Sequence, residues 1–143
     1  MKQLRIAVIA VFCIICCGCG HGLIGTLPVV HDQNNASEVF VVRGYQWFGH
    51  AISAYVSFDN NELFAIRAAE YTKFLAPPGN HTIAVKAAGS PWYTISILLV
   101  PKERHYFSVT KSAMGFYIEP ISEKDAGPYM AEDVFVPLDN TKI

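Results

Sequence analysis

Beyond Cys19 this 143-residue chain has no cysteine. That excludes a disulfide framework, a thiolate metal site and a cysteine nucleophile from everything downstream. From Ile6 to Val30 there is no Lys, Arg, Asp or Glu. Basic side chains are few, 11 against 12 acidic, and they are scattered. A nucleic-acid partner needs them clustered on one face, and an anionic lipid surface needs a polybasic run, so neither is expected. Signatures of catalysis are missing as well: there is no phosphate-cradling glycine loop, no HExxH, no GxSxG, and no Cys-x-x-Cys outside the first 19 residues. The carboxylates show no evident acid/base spacing. Of the five histidines, His21 and His31 precede the first expected strand, and His50, His81 and His105 fall at strand starts. Strand parity puts His81 and His105 at one end of a sandwich and His50 at the other, so no metal site, no cofactor and no enzymatic activity are expected.

What is present begins with a targeting segment. Met1-Lys2-Gln3-Leu4-Arg5 is short and basic, residues 6–15 are an unbroken apolar run, and Cys16-Cys17-Gly18-Cys19 follows. That is the order of a secretory leader. A cysteine directly after glycine resembles a bacterial lipobox. The resemblance implies a leader over 1–18 and a diacylated Cys19, although Cys16 stands where that motif prefers Leu. Removal of Lys2 and Arg5 with the leader leaves nine basic against 12 acidic side chains. The alternative is an uncleaved anchor, since residues 6–30 exceed the roughly 20 residues that span a bilayer. The glycines from Gly18 to Gly25, with His21 and Pro28, oppose a stable helix there. Residues 19–36 are expected as the lipidated cysteine and a flexible tether spanning roughly 20–25 Å.

From 37 onward, short apolar-alternating runs are separated by turn signals every 8–12 residues, the pattern of an all-β sandwich or barrel. Strands are expected near 37–43, 50–58, 62–67, 70–76, 80–88, 92–100, 105–111 and 115–121. Period-two alternation puts Ile83, Val85 and Ala87 on one face, and likewise Tyr93, Ile95, Ile97 and Leu99. Asp59-Asn60-Asn61 tolerates the positive φ of a tight hairpin. Pro77-Pro78-Gly79 presets φ and then supplies a glycine. Ser122-Glu123-Lys124-Asp125 reads as a capping box for one helical turn, stopped by Gly127-Pro128. The expected fold is a small antiparallel β-sandwich over 37–126 with an extension over 127–143, which holds at most one edge strand at Val134-Phe135-Val136.

The run Glu70-Tyr71-Thr72-Lys73-Phe74-Leu75-Ala76-Pro77-Pro78-Gly79-Asn80-His81-Thr82-Ile83 resembles the central motif of an uncharacterised group of bacterial lipoproteins, domain of unknown function 2846. A strand ending in Arg, as at Val41-Val42-Arg43, an aromatic and glycine loop, as at 45–49, and a Tyr-Phe strand, as at Tyr106-Phe107, extend the resemblance over about 37–126. Asp59-Asn60 stands where that group commonly has Asp-Gly. The resemblance implies an immunoglobulin- or transthyretin-like sandwich, a lipid anchor in a bacterial cell envelope, and no established activity or catalytic residues.

Aromatic residues are the remaining signal. Tyr45, Trp47 and Phe48 lie between Gly44 and Gly49, in a loop. They either cap the open end of the core or form an exposed contact patch, since loop Trp and Tyr are typical interface anchors. Counting strands gives the patch a place. With consecutive strands antiparallel, the odd connections share one end and bring together Tyr45, Trp47, Phe48, Trp92, Met114 and Phe116. That end is expected to point away from the tether. Two functions are consistent with such a chain: an envelope binding or scaffold module that docks another protein, or a binder of a small molecule or glycan. A flat or convex aromatic surface or an unpaired edge strand favours the first, and a concave apolar pocket the second.

Overall fold

The computed structural model describes residues 21–138. The described residues form an all-β sandwich of two five-stranded sheets with one α-helix and a short 3-10 helix at Gln33–Asn35. In chain order the elements are β1 (Gly22–Leu23), β2 (Ser37–Arg43), β3 (Ala54–Phe58), β4 (Asn61–Ile66), β5 (Glu70–Ala76), β6 (Gly79–Lys86), β7 (Tyr93–Leu99), β8 (Arg104–Ser112), β9 (Gly115–Ile121), α1 (Glu123–Glu132) and β10 (Val134–Phe135). The first sheet runs β1-β4-β3-β6-β7 and the second β10-β5-β2-β8-β9. Neighbours are antiparallel except β2 with β8 and β5 with β10, which are parallel.

The inward faces follow the alternation of the sequence. Val39 and Val41 of β2, Ile83 and Val85 of β6, and Val109 of β8 form one core with Phe58, Phe64, Phe74 and Phe107. Ile95 and Ile97 pack against it from β7. The side chains of Asp59 and Asn60 sit in a two-residue turn at φ of 49° and 64°, which matches the right-handed twist of the β3–β4 hairpin. Asp59 Oδ1 accepts the Thr82 N–H at 2.9 Å, tying that turn to β6.

Three stretches differ from the sequence expectation. Strand β3 starts at Ala54 rather than near 50. Residues 50–53 belong to the preceding loop, which closes on itself when Ile52 N–H donates to Gly49 O at 3.1 Å. The helix passes through Gly127 and Pro128 instead of stopping there. Ser122 caps it by accepting from Asp125 N–H, and Asp133 ends it with an N–H bond to Tyr129 O. Packing overrides the local break: α1 crosses the outer face of the second sheet over β2 and β8, Ala126 and Val42 are fully buried, and the Tyr129 ring fills the space a side chain on Gly44 would need.

The third stretch is the expected tether. Its described part, 21–36, lies along the sandwich. Gly22 and Leu23 pair with Ala65 and Phe64 of β4, Ile24 and Gly25 N–H both donate to Leu63 O, and Leu27 packs on the core. A Cβ on Gly25 would overlap the Glu62 carbonyl oxygen, so only glycine allows this close approach. The polar, glycine-rich composition that suggests a linker here covers the edge of β4.

Candidate interaction surface

Strand registers define the two ends. Arg43 pairs with Glu70, and Ser37 with Ala76. The ends of β2 and β8 and the starts of β5 and β9 therefore share one end. Short connections at 67–69 and 77–78 align the other sheet. The loop 44–53 and connections 67–69, 87–92 and 113–114 then lie together, as the strand count expects. The turns at 59–60, 77–78 and 100–103 lie at the opposite end. Of the histidines, His50 is at the loop end, and His81 and His105 are at the turn end.

The loop end is organised by a buried guanidinium. Arg43 is 1% exposed. Its Nη1 donates to Ile66 O at 2.8 Å and its Nη2 to Gly49 O at 2.9 Å, and its Cζ sits 4.4 Å above the Phe116 ring. Burial pulls this group down to about 10 against the pull of Glu70, so it stays cationic at neutral pH. The aromatic loop is held at two further points: Lys111 N–H donates to Gln46 Oε1 at 2.8 Å, and the Lys111 ammonium lies 5.2 Å from the Phe48 ring centre.

The six residues singled out from sequence separate into three kinds. Trp47 is 83% exposed and Met114 97%, with Tyr45 and Phe48 also exposed. None of these four belongs to the core cluster. The Trp47 ring lies 6.2 Å from the His50 ring at an interplanar angle of 27°. Trp92 is also exposed but less so, at 38%, and is covered on one face by the Lys86 ammonium at 4.3 Å, on the flank of the same end. Phe116 is a correction: it is 5% exposed and part of the core. Its position beside the β8–β9 turn suggests the surface, but alternation from Ile118 turns it inward under Arg43. Cys19, with the leader expected over 1–18, lies outside the described residues.

A second correction concerns where the chain arrives. The sequence reading brings the N-terminus in at the turn end, whereas β1 runs antiparallel to β4 with Gly22 opposite Ala65. His21 is therefore at the loop end, where its Nδ1 pairs with Glu70 Oε1 at 2.6 Å. Glu70 Oε2 also accepts the Arg67 N–H at 2.7 Å. Neither His21 nor Glu70 stands out in the sequence, because their contact depends on a two-residue strand that no periodicity announces.

The turn end carries two open clefts, of about 580 and 640 Å3, which meet at Asp59 and Asn60. The exposed aromatic residues line neither. In the second cleft His81 Nδ1 faces Asp59 Oδ2 at 2.7 Å, its Nε2 faces Pro77 O at 2.9 Å, and its ring stacks on Phe58. His81 thus locks the β3–β4 and β5–β6 turns together. Among the described residues no three His, Cys, Asp or Glu side chains converge as a metal site.

One more surface feature escapes a reading of single residues. Strand β7 ends the first sheet and pairs only with β6 among the described residues. Its seven residues contain no charge and no proline, the usual guards of an open edge. Leu98 on its outer face is exposed. Comparison with family models, curated proteins and solved structures finds no match to this chain.

Proposed function

We propose that the chain is a membrane-anchored lipoprotein of a bacterial cell envelope whose β-sandwich is a non-catalytic binding or scaffold module. The observation that carries the binding role is the open edge of β7. Seven uncharged residues along a sheet edge, whose outward N–H and C=O groups meet no further strand among the described residues, are a template for a partner strand, with main-chain bonds for affinity and the Thr94, Ser96 and Leu98 side for selectivity. The Gly18-Cys19 step after a basic start and an apolar run supports the anchor, as does the resemblance of 37–126 to uncharacterised bacterial lipoproteins.

Two measurements on the intact protein in its own envelope test the two halves. Fatty-acid labelling should mark the parent and not Cys19→Ser, and the variant should accumulate with its leader. A photo-crosslinker at Ser96 should give a discrete protein adduct that the same group at Lys102, in a turn of the opposite end, does not. Equal labelling of Cys19→Ser removes Cys19 as the acylated residue, and an unlabelled parent removes the lipid anchor. Identical adducts from the two positions remove β7 as the docking edge.

A further inference from the structure

We propose that the loop end of the sandwich seats directly on the lipid surface that holds the N-terminus, with Trp47, Phe48, Tyr45 and Met114 entering the boundary between headgroups and acyl chains. This rests on the reading above only in that residues before His21 attach the chain to a membrane.

Position carries the argument first. His21 is fixed at the loop end by Glu70 and by the pairing of Gly22 with Ala65. Cys19 is two residues earlier, and two residues of chain reach at most about 7 Å. His21 meets β5, and Lys111, under the aromatic loop, is on β8, two strands away in the order β5-β2-β8. Two strand spacings amount to about 10 Å. An anchor at residue 19 therefore holds this end, not the turn end, against the membrane. With 22–25 bonded to β4 and Leu27 on the core, the described chain after His21 adds no slack between the two.

The chemistry of the end fits that surface. Trp and Tyr favour the bilayer interface because one ring carries both an apolar body and a polar tip. Trp47, Phe48 and Met114 are exposed on tight turns rather than packed. Lys111 lies along the Phe48 and Phe116 rings with its ammonium at 5.2 and 5.6 Å from their centres and donating to Ser112 O, so its charge is already partnered beneath the aromatic loop. The opposite end instead presents Asp59, Asn60, Lys102, Glu103 and Arg104. Seating also leaves β7 standing along the sandwich, its open edge clear of the lipid for a partner. With no polybasic run, attraction comes from apolar insertion and does not depend on anionic lipid.

The test uses the full-length processed protein in phosphatidylcholine vesicles. Trp92→Phe leaves Trp47 as the single tryptophan and keeps an aromatic ring under Lys86. Flotation reports attachment, intact mass reports acylation, and fluorescence reports seating. Seating predicts blue-shifted Trp47 emission, strong quenching by lipids with a nitroxide near the headgroup, and several-fold weaker quenching by aqueous iodide than in the same protein in Met114→Asp/Phe48→Asp form. Protein that floats with an acylated Cys19 but whose Trp47 emits as in water, open to iodide and untouched by nitroxide lipid, overturns the seating and leaves the anchor standing; the aromatic end is then free for a protein partner. Protein that floats unacylated with a quenched Trp47 supports the seating and replaces the lipid by an uncleaved leader. Protein that does not float overturns both.

Discussion

Nη2 of Arg43, the last residue of β2, donates to the carbonyl of Gly49 at 2.9 Å while Nη1 donates to Ile66 O. One buried side chain thereby bridges the aromatic loop, the end of β4 and the face of Phe116. Without it, Ile66 O and Gly49 O each lose a charged donor, Gly49 O keeping the Ile52 N–H, and the 44–53 loop loses its central attachment.

Arg43→Ala is accordingly expected to cost about 2–4 kcal/mol, from buried carbonyls left without charged donors and from the space opened beside the Phe116 ring. Arg43→Lys should recover only part of that, because a single ammonium cannot reproduce the guanidinium fork. Urea unfolding of the three proteins checks the order, and an Arg43→Ala variant as stable as the parent would remove Arg43 as the organiser of this end.

Truncating the aromatics should separate surface from core. Trp47→Ala, at a residue 83% exposed, is expected to change unfolding free energy by no more than about 0.5 kcal/mol. Phe116→Ala, inside the core, should cost about 3–5 kcal/mol. Thermal denaturation of the pair decides the matter, and a large loss at Trp47 would return it to the role of a core cap.

Much of this architecture is legible in the sequence because two-residue alternation is a direct imprint of a half-buried sheet. Val39 and Val41, Ile83 and Val85, and Ile95 and Ile97 point inward as their spacing requires. Turn chemistry locates the β3–β4 hairpin at Asp59-Asn60 and the crossing from one sheet to the other at Pro77-Pro78-Gly79, and so the ends at which loops gather. What resists reading is set by partners far along the chain. Gly22–Leu23 is a strand only because β4 offers an edge, and α1 survives Gly127 and Pro128 only because Val42 and Gly44 receive it. Tyr45, Trp47 and Phe48 are legible as a loop cluster, but whether they are inside or outside depends on how the loop is held, by Arg43 at Gly49 O and by Lys111 at Gln46 and Phe48. Phe116 shows the converse, a turn neighbour drawn inward.

The N-terminal segment offers a sharp steric test. Gly25→Ala would drive a methyl group into the Glu62 carbonyl, so Ile24 and Gly25 should lose their bonds to Leu63 O. A cost of about 1–3 kcal/mol is expected, as for overpacking elsewhere, with faster amide exchange confined to 22–27 and to β4. Unchanged protection over 22–27 would mean that this segment is not held by close approach to β4.

The end of α1 should make stability depend on pH through Asp133. Burial, helped by the neighbouring charge of Glu132, raises its carboxyl to about 6 from an ordinary value of 3.8, and its Oδ2 has no hydrogen-bond partner among the described residues. A carboxyl with a raised value in the folded state takes up its proton on folding between those limits. The penalty for holding it ionised is therefore fully present above about pH 6, shrinks as the pH falls, and is gone below about 4. Asp133→Asn removes the charge at every pH. Because Asp133 is only partly buried, solvent screening limits the gain at pH 7 to on the order of 1 kcal/mol. Subtracting the two unfolding curves cancels the other titrating groups, so the Asn variant should melt higher at pH 7 and together with the parent near pH 4. A difference that persists unchanged at pH 4, or one that grows as the pH falls, would show that the Asp133 carboxyl is not the strained group at this helix end.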